Sequence, residues 1–213
     1  MINEVTKEYL DGLLHLKELD DWIVEFRKEA ENDHIPIITE DVENLVKIIL
    51  KATNAKSLLE IGAAVGYSSC IFADTMGDDC YIKTVERDEI RYIQARNNIK
   101  KYGKDNNIEL LLEDAAKVLE KETKKYDIVF LDGNKGHYIH MLDDCKRVLK
   151  PGGLLICDNV LFRGMIDKSR PLIRRKITIV KRLRMFLDAI SNDNDLDTSV
   201  LPIGDGLSIS IKK

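Results

Sequence analysis

The sequence predicts an α/β fold: a mostly parallel sheet with helices on both faces, preceded by a helical extension. Short apolar runs alternate with helix-like segments from Lys56 onward. The first 55 residues show only helical spacing, and the chain closes with two strand-like runs around a Gly-Asp-Gly turn. Alternation of strands and helices is typical of parallel sheets whose connections are helices.

The amino-terminal segment, residues 1–55, is expected to form helices that belong to one domain spanning residues 1–213. Apolar residues recur at helical spacing between positions 5 and 16 and again between 22 and 26. A third helix is expected after Thr39, because Thr39 with Asp41 and Glu43 resembles a capped helix start.

The remaining segment, residues 56–213, is expected to hold the cofactor and the catalytic groups. Its predicted strands are residues 57–61, 81–85, 108–112, 128–131 and 154–157. The predicted helices between them lie near residues 67–76, 88–102, 114–122 and 136–149. A long helix follows over 173–190, and the runs 198–203 and 207–211 then predict an antiparallel hairpin at the sheet edge, because their connection is short.

Composition limits the class of protein. Apolar residues make up 44% and charged residues 33% of the chain, which is typical of a globular protein. No apolar run is long enough to cross a bilayer, and the first residues lack the pattern of a secretion signal. We therefore expect a cytoplasmic protein without a membrane partner. The four cysteines have no Cys-x-x-Cys spacing, so neither a disulfide nor a zinc site is expected.

A glycine-containing turn follows the first predicted strand. Gly62 and Gly66 lie where this strand leads into a helix, and glycines let a ligand approach the backbone while the helix start offers free N–H groups. The spacing is Gly-x-x-x-Gly, whereas a dinucleotide fingerprint has Gly-x-Gly-x-x-Gly. The spacing therefore argues against a hydride-transfer enzyme. It remains compatible with another ligand that resembles a nucleotide.

Two further strand ends complete a candidate cofactor site. Glu86 lies 20 residues after Gly66, where a carboxylate can accept hydrogen bonds from a ribose diol. Asp114 and Ala115 follow the third strand, where a loop can contact an adenine edge. Ligands of open α/β sheets bind beyond the carboxyl ends of the strands, so these segments are expected to converge on one crevice.

A second group of polar residues predicts a metal site. Asp132 follows the fourth strand, and Asp158 with Asn159 follows the fifth. An isolated acid at a strand end is most often a helix cap, but two acids and an asparagine at adjacent strand ends favour a hard cation such as Mg²⁺. Lys135 stands beside Asp132, where an ammonium group favours the anionic form of a metal-bound hydroxyl or, when neutral, removes its proton.

These motifs together resemble the catechol and caffeoyl-CoA type of class I O-methyltransferases. The resemblance extends from about Ile35 to the end of the chain and is carried by the segments 60–68, 132–135, 151–153, 158–161 and 201–206. It implies a Rossmann-like, seven-stranded, mostly parallel sheet with an antiparallel last strand, and S-adenosylmethionine and Mg²⁺ as cofactors. The implied cofactor-binding residues are Ile38, Glu60, Gly62, Ser68, Glu86, Asp114, Ala115 and Asp132.

The resemblance also implies the chemistry. Asp132, Asp158 and Asn159 would hold the metal, with Lys135 and Asp132 as the catalytic residues and Lys135 as the base. One departure is Gly133-Asn134, where many relatives carry Ala-Asp. The acidified hydroxyl of an acceptor would attack the methyl group in line, so alignment in a dry pocket matters more than a strong base.

Within this family the chain resembles in particular the bacterial tRNA 5-hydroxyuridine methyltransferases, which the run of residues 158–164 suggests. They are implied to methylate the 5-hydroxyl of the wobble uridine, which with its neighbouring carbonyl could chelate a metal as a catechol does. One alternative acceptor is a small catechol-like or phenolic metabolite. An alternative of another class is a nucleotide-binding regulator without catalysis, which the combined acid and lysine motif argues against.

A basic segment provides an independent indication of RNA. Between Arg163 and Arg184 there are nine Lys or Arg against one acid, in a chain whose net charge is −4. The simpler interpretation of this basic segment is a helix face exposed to solvent. The alternative is a surface that contacts a tRNA anticodon arm. The candidate RNA-binding residues are Arg163, Arg170, Arg174, Arg175, Lys176, Lys181 and Arg184.

Weaker indications suggest roles for three residues close to Lys135 and an oligomeric state. His137 and His140 are expected to contact substrate or solvent rather than a metal, and Tyr138 is a candidate for the pocket wall. A homodimer is expected only from the resemblance.

Overall fold

The computed structural model describes residues 9, 10, 12, 13, 20–167 and 171–213. Seven strands form one sheet in the order β3-β2-β1-β4-β5-β7-β6. The strands are β1 (Ser57–Ile61), β2 (Tyr81–Glu86), β3 (Ile108–Leu112), β4 (Tyr126–Leu131), β5 (Leu149–Cys157), β6 (Leu196–Leu201) and β7 (Leu207–Lys212). The helices are α1 (Asp21–Asn32), α2 (Glu40–Ala52), α3 (Tyr67–Met76), α4 (Glu89–Lys101), α5 (Ala115–Lys121), α6 (Tyr138–Val148) and α7 (Ile177–Asn192). Single 3₁₀ turns, Lys135–His137 and Arg174–Lys176, precede α6 and α7.

The direction of the strands confirms the predicted fold class. Strands β1 to β5 are parallel to one another, whereas β7 is antiparallel to both β5 and β6. The expected hairpin is therefore present, and β7 inserts between β5 and the edge strand β6. Most of the amino-terminal helix expected over residues 5–16 lies outside the described residues.

Helices cover both faces of the sheet because successive strand residues point to opposite sides. Leu58 packs in a core formed with α1 to α4, whereas its neighbour Leu59 packs in the core formed with α5 to α7. The central strands are therefore almost entirely apolar, as expected for strands that are buried on both faces. No helix in the described ranges is long and apolar enough to cross a membrane.

A buried ion pair joins the amino-terminal helices to α3. Arg27 on α1 donates to Glu43 on α2 over 2.6 Å, and the hydroxyl of Tyr67 at the start of α3 donates to the same carboxylate over 2.8 Å. The Arg27 guanidinium also lies 5.0 Å from the centre of the Tyr67 ring. Because Tyr67 directly follows Gly66, this cluster fixes the helix that begins at the glycine turn.

The start of α2 differs in detail from the expected cap. The hydroxyl of Thr39 donates to the carboxylate of Asp41 instead of accepting a helix N–H. Asp41 accepts the backbone N–H of Val42 and, from the other end of the chain, that of Gly204, each over 2.9 Å. The beginning of α2 is therefore tied to the turn before β7.

Asp127 connects three strands at the opposite end of the sheet from the glycine turn. One of its carboxylate oxygens accepts the backbone N–H groups of Lys56 and Ser57 over 3.0 and 2.8 Å, and the other accepts Lys150 over 2.6 Å. Burial alone would raise the pKa of Asp127, but hydrogen bonds from Lys150, from the Ser57 hydroxyl and from the two backbone N–H groups outweigh it and lower the pKa below its usual range.

Candidate active site

A cavity of about 840 Å³ opens at the carboxyl ends of the parallel strands. Its walls come from the loops after β1, β2, β3, β4 and β5, from Pro36, Ile37 and Thr39, and from the start of α7. Its volume lies within the range typical of small-ligand sites in proteins. The strand ends singled out in the sequence therefore do converge on one crevice.

The glycine turn after β1 forms the floor of the cavity. Gly62 has a φ of +107°, and a side-chain carbon at this position would lie 2.7 Å from the carbonyl oxygen of Asp132. Only glycine fits there, because the two loops touch through their backbones. Gly66, with a φ of +81°, ends the turn and begins α3.

Glu86 lines the cavity at the end of β2 and also supports the glycine turn. One carboxylate oxygen accepts the N–H of Ala64 over 2.9 Å, and the other accepts those of Arg87 and Asp88 over 2.8 and 2.9 Å. A carboxylate has about four acceptor sites, so capacity for a ligand hydroxyl remains. The expectation for Glu86 therefore agrees with its position, while its ligand stays a prediction.

Asp114 and Ala115 line the same cavity at the end of β3. The Asp114 carboxylate caps α5 by accepting the N–H of Ala116 over 3.0 Å. This cap fixes the first turn of α5 beside the cavity, so that Asp114 and Ala115 lie at the cavity edge.

Glu60 and Ser68 lie behind the cavity wall rather than on it, and their part in cofactor binding stays a prediction. Glu60 is fully buried, and its carboxylate accepts the hydroxyls of Ser68, Ser69 and Thr84. Burial raises the pKa of Glu60 although these three hydrogen bonds oppose the shift. The strand alternation turns Glu60 towards α3, where it anchors the helix that follows the glycine turn.

The segment before α2 contributes residues other than the expected Ile38. Pro36, Ile37 and Thr39 line the cavity, whereas the side chain of Ile38 is buried in the core. The carbonyl of Ile38 accepts a hydrogen bond from Arg27 over 3.3 Å. Neighbouring side chains here face opposite sides, so Ile37 and Thr39 line the cavity, while the contact of Ile38 with a cofactor stays a prediction.

The two acids of the predicted metal site do come together. Asp132, Asp158 and Asn159 all line the cavity, and Lys135 donates to Asp132 over 3.0 Å. Burial raises the pKa of Asp132, and Lys135 opposes that shift. Burial and the neighbouring charge of Asp132 raise the pKa of Asp158, which is only 3% exposed.

This donor set is chemically suited to a hard divalent cation. The charge of Asp132 raises the proton affinity of the buried Asp158, and the single ammonium of Lys135 offsets only one of these two carboxylates. A cation held by oxygen ligands relieves that repulsion, and two carboxylates with one amide are ligands that Mg²⁺ accepts. Across the described ranges, no cluster of three or more His, Cys, Asp or Glu offers another metal site.

The turn after β5 has an unusual backbone. Asn159, Phe162 and Arg163 have φ values of 58°, 46° and 57°, which side-chain-bearing residues rarely adopt. Asp205 holds this turn, because its carboxylate accepts the N–H of Arg163 and its carbonyl accepts that of Leu161. Left-handed residues often cluster at functional sites, where surrounding contacts must stabilise them.

Several cavity residues were missed by sequence reasoning. Asp205 belongs to the Gly-Asp-Gly turn, which was interpreted as a hairpin connection and as part of the family resemblance but not as a part of the cavity. The second glycine is required there, since a side-chain carbon at Gly206 would lie 2.3 Å from Leu161. Apolar wall residues gave no distinguishing signal, because in sequence they look like core residues. The missed lining residues include Ile37, Met141, Phe162, Ile179 and Asp205.

The candidate RNA-binding residues separate into groups. Arg170 lies outside the described residues. The exposed basic residues are Arg163, Arg174, Arg175 and Lys181. Two residues line the cavity, Arg163 and the half-buried Lys176. The Lys176 ammonium lies 5.8 Å from the centre of the Phe162 ring.

Arg184 also has a structural contact. Its guanidinium donates to the carbonyls of Ile166 and Met165 over 3.0 and 3.2 Å. Arg184 is half-buried, and this contact attaches the segment after the Asn159 turn to α7. The role of all these residues in RNA binding stays a prediction.

Tyr138 and its histidine neighbours face different environments. His137 is exposed and lines the cavity, and its ring centre lies 6.0 Å from that of His140. Tyr138 is fully buried and does not line the cavity, contrary to the sequence expectation. Helical spacing explains the difference, because α6 turns Tyr138 towards the sheet.

Comparisons with known proteins agree with this geometry. A family model described as O-methyltransferase matches residues 15–213. A caffeoyl-CoA O-methyltransferase of Medicago sativa is 30% identical over 179 residues, which cover 79% of this chain and 72% of that protein. The tapetum-specific methyltransferase 1 of Arabidopsis thaliana is 27% identical, covering 91% of this chain and 84% of its own.

Solved structures share the whole architecture. A Staphylococcus aureus protein ascribed to the caffeoyl-CoA O-methyltransferases is 31% identical, with a TM-score of 0.90 and coverage of 99% of this chain and 100% of that one. An O-methyltransferase of Bacillus cereus, solved in complex with SAH, has the same fold at 20% identity, with a TM-score of 0.84 and coverage of 98% and 97%. Because the family model matches nearly the full length, this chain belongs to the O-methyltransferase family.

Proposed function

We propose that this protein transfers the methyl group of S-adenosylmethionine to a hydroxyl oxygen with the help of Mg²⁺ or another hard divalent cation. The observation that carries the proposal is the contact between two sites. The glycine turn that would hold the cofactor touches the backbone of Asp132, which is itself a candidate metal ligand. Donor and acceptor would therefore meet at one place in the cavity.

The cofactor assignment rests on the family and on the strand ends. The Bacillus cereus relative was solved with SAH, the product of methyl donation by S-adenosylmethionine. In this chain Glu86 offers free acceptor capacity for ribose hydroxyls, and Asp114 with Ala115 would border the base. S-adenosylmethionine supplies an electrophilic methyl group on a positively charged sulfur.

The residues around the acids would prepare the acceptor. Asp132, Asp158 and Asn159 would hold the cation, which when bound lowers the pKa of a coordinated hydroxyl. Lys135 lies beside this set, so its ammonium would stabilise the deprotonated acceptor oxygen or, when neutral, take its proton. Met141, Ile179 and Phe162 line the cavity and would exclude water from the reacting groups.

For the acceptor we propose the 5-hydroxyl of 5-hydroxyuridine at the tRNA wobble position, giving 5-methoxyuridine. The basic residues are the supporting observation. Arg163 and Lys176 belong to the cavity wall, and the exposed Arg174 and Arg175 share one 3₁₀ turn with Lys176. Such a surface could hold successive phosphates of an anticodon arm while one base enters the cavity. A cytoplasmic location and a homodimer are parts of this proposal.

A small catechol-like or phenolic acceptor is the second candidate, and the names of the relatives favour it more directly. The Medicago sativa protein is a caffeoyl-CoA O-methyltransferase, and the Staphylococcus aureus protein is ascribed to the same activity. The same acids and lysine would serve a vicinal diol. The basic cavity rim would then contact an anionic group of the small molecule instead of RNA.

One experiment separates the two acceptors. The protein is incubated with methyl-labelled S-adenosylmethionine, Mg²⁺ and either 5-hydroxyuridine-bearing tRNA or a catechol such as caffeoyl-CoA. Label in tRNA that requires the 5-hydroxyl supports the first proposal, whereas label only in the small molecule supports the second. Asp158→Ala or a chelator should abolish transfer, and full turnover in the presence of a chelator would contradict the metal assignment.

A further inference from the structure

The side chain of Tyr138 bridges the ends of the two strands that carry the candidate metal ligands. Its hydroxyl lies 2.9 Å from the carbonyl oxygen of Leu131 and 3.2 Å from that of Asp158. A tyrosine hydroxyl has one hydrogen to donate, so the two carbonyls share it. Leu131 directly precedes Asp132, and Asp158 is itself a candidate ligand.

This bridge lies at the point where the β4–β5 ladder stops. The last backbone hydrogen bond between these strand ends runs from the N–H of Asp158 to the carbonyl of Leu131, over 2.9 Å. On the other edge of β4 the N–H of Asp132 bonds to the carbonyl of Ile61 on β1 over 3.0 Å. Tyr138 therefore fastens β4 and β5 together at the last paired residues before the candidate metal ligands.

The Tyr138 ring is itself held in place. It is fully buried and meets Phe186 of α7 in an edge-to-face contact, with ring centres 5.5 Å apart and planes at 67°. An aromatic ring in such a core cannot turn away from the sheet without moving its neighbours. A phenylalanine would fill the same space without burying a hydroxyl, so the hydroxyl itself calls for a role beyond packing.

We propose that Tyr138 is a positioning residue that sets the separation of Asp132 and Asp158, and thereby the affinity of the site for a divalent cation. This inference rests on the metal-dependent part of the proposed function. Tyr138 does not touch the ligand-bearing carboxylates; it acts on the backbone that presents them. Groups that orient metal ligands are commonly needed for tight binding.

The test compares Tyr138→Phe with the wild-type protein in a direct titration with Mn²⁺, without cofactor or acceptor, followed by calorimetry and by the electron paramagnetic resonance of free Mn²⁺. We expect binding to be weakened about tenfold. The matched control is Tyr126→Phe, which removes the hydroxyl of another fully buried tyrosine at the start of β4. That hydroxyl donates to Glu122 over 3.0 Å, away from the site. Tyr126→Phe should bind Mn²⁺ as the wild type does.

A second measurement separates positioning from general destabilisation. If Tyr138 positions the ligands, methyl transfer by Tyr138→Phe should recover as the Mg²⁺ concentration is raised, whatever the change in melting temperature. Equal Mn²⁺ affinity of Tyr138→Phe and wild type overturns the inference alone, as does equal weakening by both phenylalanine variants. Absence of Mn²⁺ binding by the wild type overturns it together with the metal part of the proposed function.

Discussion

Gly62 and Asp132 are in backbone contact, so closely that a side-chain carbon at Gly62 would lie 2.7 Å from the Asp132 carbonyl oxygen. The turn that would hold the methyl donor and the strand end that would hold the metal are therefore one rigid unit. A change at Gly62 should disturb both.

We expect Gly62→Ala to lose about 1–3 kcal/mol of stability from its backbone conformation alone, with the collision adding to this. Cofactor affinity should fall at least about tenfold, measured by calorimetric titration with SAH. Gly152→Ala is the control, because its φ is +76° but an added carbon meets no atom within 4 Å. Equal losses in the two variants would contradict a role for the contact with Asp132.

Lys135→Met should lower kcat by roughly 10²- to 10⁴-fold, the range typical of a lost acid–base group. The affinity for SAH should change little, because Lys135 pairs with the candidate metal ligand Asp132 rather than with Glu86 or Asp114, the residues proposed to bind the cofactor's ribose and base. Lys104→Met removes a lysine that pairs with Asp74 over 2.6 Å, outside the cavity, and should leave kcat unchanged. Wild-type kcat in Lys135→Met would refute the proposed role.

Asp127→Asn should show how stability depends on pH. The pKa of Asp127 is lowered in the folded protein, so its carboxylate stabilises the fold fully above its ordinary pKa of about 3.9, and this contribution is lost as the pH falls through the folded-state pKa. At pH 7 the loss of its charged hydrogen bonds should cost about 1.5–3 kcal/mol in urea unfolding. The difference from wild type should shrink below about pH 4.

The control for Asp127 is Asp197→Asn on the edge strand β6. Its carboxylate is 69% exposed and pairs with Lys213, so its replacement should change stability by less than about 0.5 kcal/mol. A difference between wild type and Asp127→Asn that stays constant from pH 7 to pH 3 would contradict the role of the carboxylate charge.

Reversing the charge of Arg174 and Arg175 to Glu should weaken tRNA binding and reduce its dependence on salt concentration, because fewer phosphates are neutralised. Filter binding over a series of salt concentrations measures both. Reversal of Lys28 and Lys51, which are exposed on α1 and α2, changes the net charge equally and should have a much smaller effect. Unchanged transfer to tRNA in the arginine variant would exclude this surface as the docking site.

The sequence predicted the sheet well, because its central strands are continuous apolar runs separated by clear turn residues. It missed the start of β5, where Pro151, Gly152 and Gly153 look like a loop. Only Leu149 pairs there, with Tyr126, before the register shifts and the ladder resumes at Leu154. Local composition does not reveal such an interruption, because the pairing depends on the partner strand.

The sequence predicted which loops form the site, but not the direction in which each side chain points. The motifs that contain Glu60 and Ile38 do not indicate whether each side chain points to the cavity or to the core. In the structure both side chains point into the core. Asp205 was missed because its partner, Arg163, is 42 positions away in the sequence. Contacts of that kind follow from the assembled fold rather than from spacing.

The hydrogen bond from Gly204 to Asp41 joins residues 163 positions apart. Pro36, Ile37 and Thr39 border the same cavity as Asn159, Phe162 and Arg163, and the turn of residues 204–206 contacts both segments. During synthesis the cavity therefore stays incomplete until this turn has left the ribosome. A prematurely truncated chain could build most of the sheet and still lack a finished binding site.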